Sequence, residues 1–256
     1  MDRTPRPPRK LSPVLTVILA LGGVLLLLCC GGGYLLIRYV GPYQAAGDLP
    51  EAVAAYRQTG LPWEAKDLSP QPPVSKDKNA ASLVNRCTLA LNQKSLGKGI
   101  ENISQLSEKG QFAEAEKGLI PFAEVMKLGE QAARLGRADF GHDWDQGPNV
   151  LSPELLTFKE VCKLLAARAQ LEAAHGQVGS AIQDLRNARK IGDLASQNEG
   201  LIPMLVQIAI GSISCRAEQH CAELWAQDAA ALRRLDALEG ENQSEPDFLH
   251  ALRGEA

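Results

Sequence analysis

The chain is 256 residues long, 45% hydrophobic and 22% charged, with only 5% aromatic side chains. This ordinary globular composition excludes a disordered polyelectrolyte, a collagen-like fibre and a disulfide-dense mini-protein, and its many alanines and leucines favour packed helices over a β-sandwich. Five of the 27 basic residues and one of the 30 acidic ones lie in the first 40 positions. The rest is therefore acidic by about seven charges, with no basic face for a nucleic-acid backbone.

Residues 1–10 form a basic tail with Arg3, Arg6, Arg9 and Lys10. No charge follows from Leu11 to Ile37, and Val14–Ile37 is 24 residues long. As a helix this run extends about 36 Å, enough to cross a hydrocarbon core of about 30 Å. Tyr34, Tyr39 and Tyr43 lie near its far end, where amphipathic rings favour the headgroup layer. The reading is a transmembrane anchor over 11–40 that contacts the bilayer through 14–37. The basic residues before it place the N-terminus in the cytoplasm and the remainder outside. Cys29 and Cys30 at the end of the leucine run leave a lipoprotein signal as an alternative.

Residues 41–78 read as a short helix, Glu51–Thr59, ended by Gly60, then a proline-rich strap over Leu61–Lys78 with Trp63 as its fastener. A helical domain follows over 79–240. Asn79 can cap a helix Ala80–Gln93 that turns Leu83, Cys87 and Leu91 (or Leu89) inward. A second helix covers Ile100–Glu108. A third starts near Phe112, with Pro121 either kinking it or opening a new helix through Ala133. Arg134–Val150 is irregular. Ser152-Pro153-Glu154 then signals a start, and Leu155, Phe158, Cys162, Leu165 and Ala169 form one stripe of a helix reaching Ala174. Gly176 ends it. The next helix carries Val178, Ala181, Ile182, Leu185, Ala188 and Ala195 on one face. Pro203 opens a long helix to Trp225, with Ile202, Leu205, Ala209, Ile213, Ala217, Cys221 and Leu224 in register. A last helix spans Asp228–Leu238, and 241–256 is a tail.

Gly176, Ala181, Leu185 and Ala188, with Ala169 seven positions before the glycine, resemble the inter-helix turn of tetratricopeptide repeats. Gly110, Ala115 and Leu119 repeat part of this 66 residues earlier. Glu172 and Asp193 stand where the repeat has an aromatic and a proline. More widely, the order of features resembles a group of uncharacterised bacterial membrane-anchored helical proteins. It comprises the span, a Gly-Leu-Pro helix end, a proline strap into Asn79-Ala80-Ala81 and an Asp-Phe…Asp-Trp loop. Leu164-Leu165-Ala166-Ala167-Arg168-Ala169 and Leu201-Ile202-Pro203 complete it. The resemblance implies an anchored all-α fold and no activity.

Candidate chemistry is sparse. Cys87, Cys162 and Cys221 read as core packers, with a Cys87–Cys162 bridge as the sharper alternative. Cys215, His220 and Cys221 point about 140° and 240° apart around a helix and cannot converge on one metal. The stretch Asp139-Phe140-Gly141-His142-Asp143-Trp144-Asp145 is the most unusual polar cluster. Gly147 and Pro148 spoil a calcium loop counted from Asp143. Either Phe140 and Trp144 plug a groove while the acids face water, or the loop binds a ligand. No phosphate-binding, nucleophile-elbow or zinc-protease motif occurs.

The expectation is thus an all-α protein: an N-terminal transmembrane helix and an antiparallel helix-hairpin (TPR-like) domain. It acts as a single-pass anchored interaction or scaffold module with a protein or peptide partner, without cofactor, metal, catalytic residues or nucleic acid. A ligand-sensing or non-canonical enzymatic domain using the 139–145 loop is the alternative.

Overall fold

The computed structural model describes residues 73–93, 97–144, 152–197 and 200–241, with isolated positions between 51 and 58. The chain divides into two units, Met1–Leu61 and Pro62–Ala256. The anchor over 11–40, the strap before Pro73 with Trp63, and the tail after Glu241 lie outside the described residues. In the first unit the described positions Glu51, Ala54, Ala55 and Gln58 are helical, within the predicted Glu51–Thr59.

Every longer regular element among the described residues of the second unit is an α-helix. In chain order these are α1 (Ala81–Gln93), α2 (Gly97–Glu108), α3 (Phe112–Leu119), α4 (Ala123–Leu135), α5 (Glu154–Ala174), α6 (Val178–Ala195), α7 (Leu201–Leu224) and α8 (Ala229–Glu239). Of the two alternatives at Pro121 the second holds, since a new helix follows it and runs through Ala133 to Leu135. Pro121 itself sits in a 3-10 turn, Ile120–Phe122, that joins α3 to α4. Pro203 likewise falls inside the first turn of α7, where a missing N–H costs nothing, and the helix opens two residues earlier.

Helix α5 is the hub. It packs against α1, α2, α3, α4, α6 and α7. Leu155, Phe158, Cys162, Leu165 and Ala169 are buried as the stripe requires, but so are Thr157, Glu160, Val161, Leu164, Ala166, Ala167, Gln170, Leu171 and Ala173. A helix with neighbours on nearly every side has no outer face to mark, so one stripe understates it. Two apolar clusters result. The larger runs through α1, α2, α4, α5 as far as Leu171 and the second half of α6, around Phe122, Phe158, Leu164 and Leu165. The smaller joins the end of α5 to α6, α7 and α8 through Ala169, Leu185, Cys221, Trp225 and Leu235.

The two turns of similar sequence share one geometry. Gly110 and Gly176 have φ of 70° and 72°, a region where a side chain would strain the backbone. The next residue, Gln111 or Gln177, lies at φ −85° and donates its N–H five residues back, to Leu106 O or Glu172 O. Each turn closes one helix and opens the next, which packs against it, α3 after α2 and α6 after α5.

Helix α7 corrects the predicted register. Ala217 and Cys221 are buried, but the other inward positions are Pro203, Gln207, Ile210, Ser214 and Glu218. Ile202, Leu205 and Leu224 are exposed, and Ala209 and Ile213 half-buried. In α1, Cys87 is buried, Leu83 and Leu91 half-buried and Leu89 exposed. Among the described residues, α7 is the one helix long and apolar enough to cross a membrane.

Candidate functional site

The 136–144 segment is built as a clasp. Asn79 Oδ1 accepts from Ala81 N–H (3.0 Å), capping α1, and from Asp139 N–H (2.9 Å), while Asn79 Nδ2 donates to Asp139 O (2.8 Å). Gln197, just past α6, holds the same segment from the other side. Its Oε1 accepts from Ala138 N–H (2.9 Å) and its Nε2 donates to Gly136 O (2.8 Å). Two amide side chains thereby satisfy backbone groups that no helix reaches.

Beyond the clasp, Phe140 stands edge-on to Phe158 of the core, with centroids 5.9 Å apart. It stacks on His142, whose ring meets Trp144 edge-on at 5.4 Å. His142 Nε2 lies 2.9 Å from Glu154 Oε1 at the start of α5, a carboxylate with 3% side-chain exposure. The rings of the loop are therefore brought together at the start of α5, Phe140 on Phe158 and His142 on Glu154, with Trp144 on His142. Asp145 lies outside the described residues. The Ser152 carbonyl accepts from Leu155 N–H (3.1 Å) at the entry to α5.

The described cysteines are free thiols. Cys87 Sγ points to Val125 O (3.7 Å), whereas Cys162 Sγ faces Ile210 O and Ser214 Oγ on α7, so the alternative bridge is not formed. Burial pushes the thiol pKa of Cys87, Cys162 and Cys221 up to about 12. Such thiols pack and do not attack. Cys215 is exposed. No group of three potential metal ligands occurs among the described residues.

An open groove of about 970 Å³ lies beside α7. α7 forms its floor, α2 and α5 one wall, and α6 with the end of α8 the other. Charged pairs brace both walls. Lys163 Nζ reaches Glu101 (2.9 Å) and Glu160 (3.2 Å). Arg189 holds Glu218 through two bonds of 2.5 Å and donates to Leu238 O (2.8 Å), tying α6, α7 and α8 together. These side chains went unmarked in the sequence because each charge looks solvated until its partner, 29 or more residues away for Glu218 and Glu101, is placed beside it. Small residues Gly211 and Ser212 and the apolar Ile208 lie between the walls, beside Cys215.

A second ionic cluster is structural. Arg168 of α5 donates to Asp184 of α6 (2.5 and 2.6 Å) and to Glu130 of α4 (2.6 Å). Burial, assisted by the negative charge of Asp184, raises the neighbouring Glu172 carboxyl to about 7, against the pull of Arg168. Burial also raises Asp184 above the usual carboxylate range, with Arg168 opposing it.

Ile208, which lines the groove, is one of several apolar residues exposed on the outer side of α7. Ile202 is 63% exposed, Leu205 53% and Ile208 44%. No charged residue occurs over the 16 positions from Gly200 to Cys215. Apolar side chains thus face outward on the helix whose inner face carries Gln207, Ser214 and Glu218. Compared with known proteins, the chain matches no protein family, no curated protein and no solved structure.

Proposed function

We propose that the chain is a single-pass, membrane-anchored interaction module. Its TPR-like helix pairs lie outside the cytoplasm and take a helical polypeptide segment in the groove along α7. The observation that carries this reading is the outward apolar side of α7, open beside a groove whose wall charges are already paired. A patch of that kind costs solubility unless something covers it. Apolar anchors at helical spacing suit it better than a polar substrate would.

Two sequence features support the anchor: the uncharged run of residues 14–37 and the excess of basic residues before it. α7 itself is read as a core helix with one open side. It packs on α5 and α6, and its second half carries Arg216, Glu218 and Glu223, charges that a bilayer-crossing helix avoids.

The test uses the full chain in native membranes. It should resist alkaline carbonate, and a protease outside the cell should cut beyond Tyr43. A pull-down should recover a polypeptide that Leu205→Asp with Ile208→Asp releases. Extraction by carbonate overturns the anchor, and recovery unchanged by the double substitution overturns the groove.

A further inference from the structure

The pairs that brace the groove do not balance its charge. Lys163, Arg189 and Arg216 are the cations of its lining, and each meets a lining acid, Glu101, Glu218 and Glu108 in turn. Two further acids, Asp193 of α6 and Glu239 of α8, line it as well. Behind the α5 wall, Glu160 shares Lys163 with Glu101, so one ammonium serves two carboxylates there. No hydrogen bond reaches the buried Oε2 of Glu160.

The two signs also differ in depth. The side chains of Lys163 and Arg189 are 17% and 12% exposed, drawn into the walls by their partners, whereas Glu101 is 55% exposed and Glu108 40%. Glu239 is exposed on the opposite wall. Arg216 is the one lining cation that stands outward, and Glu108 lies 3.5 Å from it. A ligand entering the groove therefore meets carboxylates first, on both sides, in a cleft whose walls focus their field. Between them lies the uncharged part of α7, 16 residues from Gly200 to Cys215, or about 24 Å of helix. Leu205 and Ile208 are exposed there one turn apart, followed by Gly211 and Ser212.

We propose that the segment taken by the α7 groove is a cationic amphipathic helix of a partner polypeptide. Its apolar stripe lies on Ile208 and the open floor at Gly211, where an added Cβ meets nothing within 4 Å. Its Lys or Arg side chains flank that stripe on both sides, against Glu101 and Glu108 on one wall and Glu239 on the other. An apolar strip with acids on either side is the complement of such a helix, whereas an anionic segment would be repelled from both walls. This rests on the reading of the groove as a site for a helical segment, and it adds the charge that selects the segment.

The probe is a designed peptide of about 14 residues, ~21 Å as a helix, with leucine along one stripe and lysine on both sides of it. Two counterparts carry glutamine or glutamate in place of every lysine. The full chain in a non-ionic detergent is titrated into each fluorescent peptide, and anisotropy is read. The lysine peptide should bind about tenfold or more tightly than the glutamine one, and the glutamate peptide should bind least. The advantage should shrink as salt rises from about 50 to about 300 mM. Glu101→Gln with Glu239→Gln, checked for unchanged helix content, should remove most of that advantage and leave the affinity for the glutamine peptide as it was. Leu205→Asp with Ile208→Asp should weaken the lysine peptide although it adds negative charge, which attraction by charge alone would not do. Equal binding of the lysine and glutamine peptides overturns the proposal and leaves the groove reading standing. An advantage that survives Glu101→Gln with Glu239→Gln also overturns it, because the selecting charge then lies elsewhere. Binding of no peptide overturns the groove reading as well. Lysine-peptide binding unchanged by Leu205→Asp with Ile208→Asp places the peptide in the micelle, and binding that appears only when the chain is diluted from dimer to monomer gives the face to a second copy. Either outcome overturns the proposal.

Discussion

Two glycines in helix interiors meet opposite surroundings, so the same substitution should have opposite signs. A Cβ at Gly129 of α4 would overlap Val161 Cγ1 of α5, a buried atom on a stiff β-branched side chain. Gly129→Ala should therefore cost about 1–3 kcal/mol, the usual penalty of overpacking. Gly211 of α7 has open space, and alanine there gains helix propensity without a clash. Gly211→Ala should stabilise by about 0.8–1 kcal/mol. Urea unfolding of the two variants beside the wild type reads both, and equal signs would contradict the packing of α4 on α5 or the openness of the groove. The thiols divide in the same way. Cys215, which is exposed, should take up maleimide in the folded protein near neutral pH, whereas Cys87, Cys162 and Cys221, raised to about 12 by burial, should react only after unfolding.

At the scale of elements, Asn79 does two jobs with one side chain, capping α1 and binding both backbone groups of Asp139. Asn79→Ala removes a cap worth about 1 kcal/mol and also leaves the clasp short of partners, so a loss of about 2 kcal/mol is expected. Hydrogen exchange should speed up in 136–144 and in the first turn of α1 while α7 keeps its protection. Spreading of the effect to α7 would contradict a local clasp. Only half of this was legible in the sequence. Asn79 stands where a cap belongs, but its second partner is 60 residues away and Gln197 carries no local sign of its role. The face of α6 was readable because Ala181, Ile182, Leu185, Ala188 and Ala195 obey the simple rule and are buried. The rule failed on α7 for a physical reason. Arg189 satisfies Glu218 inside the protein and Ser214 lies against Cys162, so polar residues hold the inner positions and apolar ones are turned outward. Periodicity reads which side chains are apolar, not which polar ones find a buried partner.

Across the whole second unit, the helices α4, α5 and α6 meet at Glu130, Arg168, Glu172 and Asp184, where Arg168 bonds Glu130 and Asp184 beside Glu172 and Arg134 also reaches Glu130 (3.5 Å). Removing Arg168 from such a cluster strands buried charge, which is costlier than never having placed it there. Glu172 has the surplus charge, since no hydrogen bond reaches its buried Oε2 and its pKa stands at about 7 against 4.5 for an ordinary glutamate. A carboxyl raised in the folded state favours folding most while it is protonated. Its contribution is complete below about pH 4.5 and is lost as pH rises through about 7. Glu172→Gln keeps the shape without the charge, so it should be nearly neutral at pH 4 and more stable than the wild type at pH 8. The gain should be about 1–2 kcal/mol, the full shift being discounted because the site is only partly shielded from water. The comparison must be made as a difference between the two proteins. Glu101 and Glu241 are held below their ordinary range, chiefly by hydrogen bonds from Lys163 and Arg186, and their contribution runs the other way, fading toward acid in both. Urea midpoints at pH 4, 6 and 8 check the prediction. A constant offset between the curves would mean that Glu172 does not titrate between its unfolded and folded values, and that burial does not raise it.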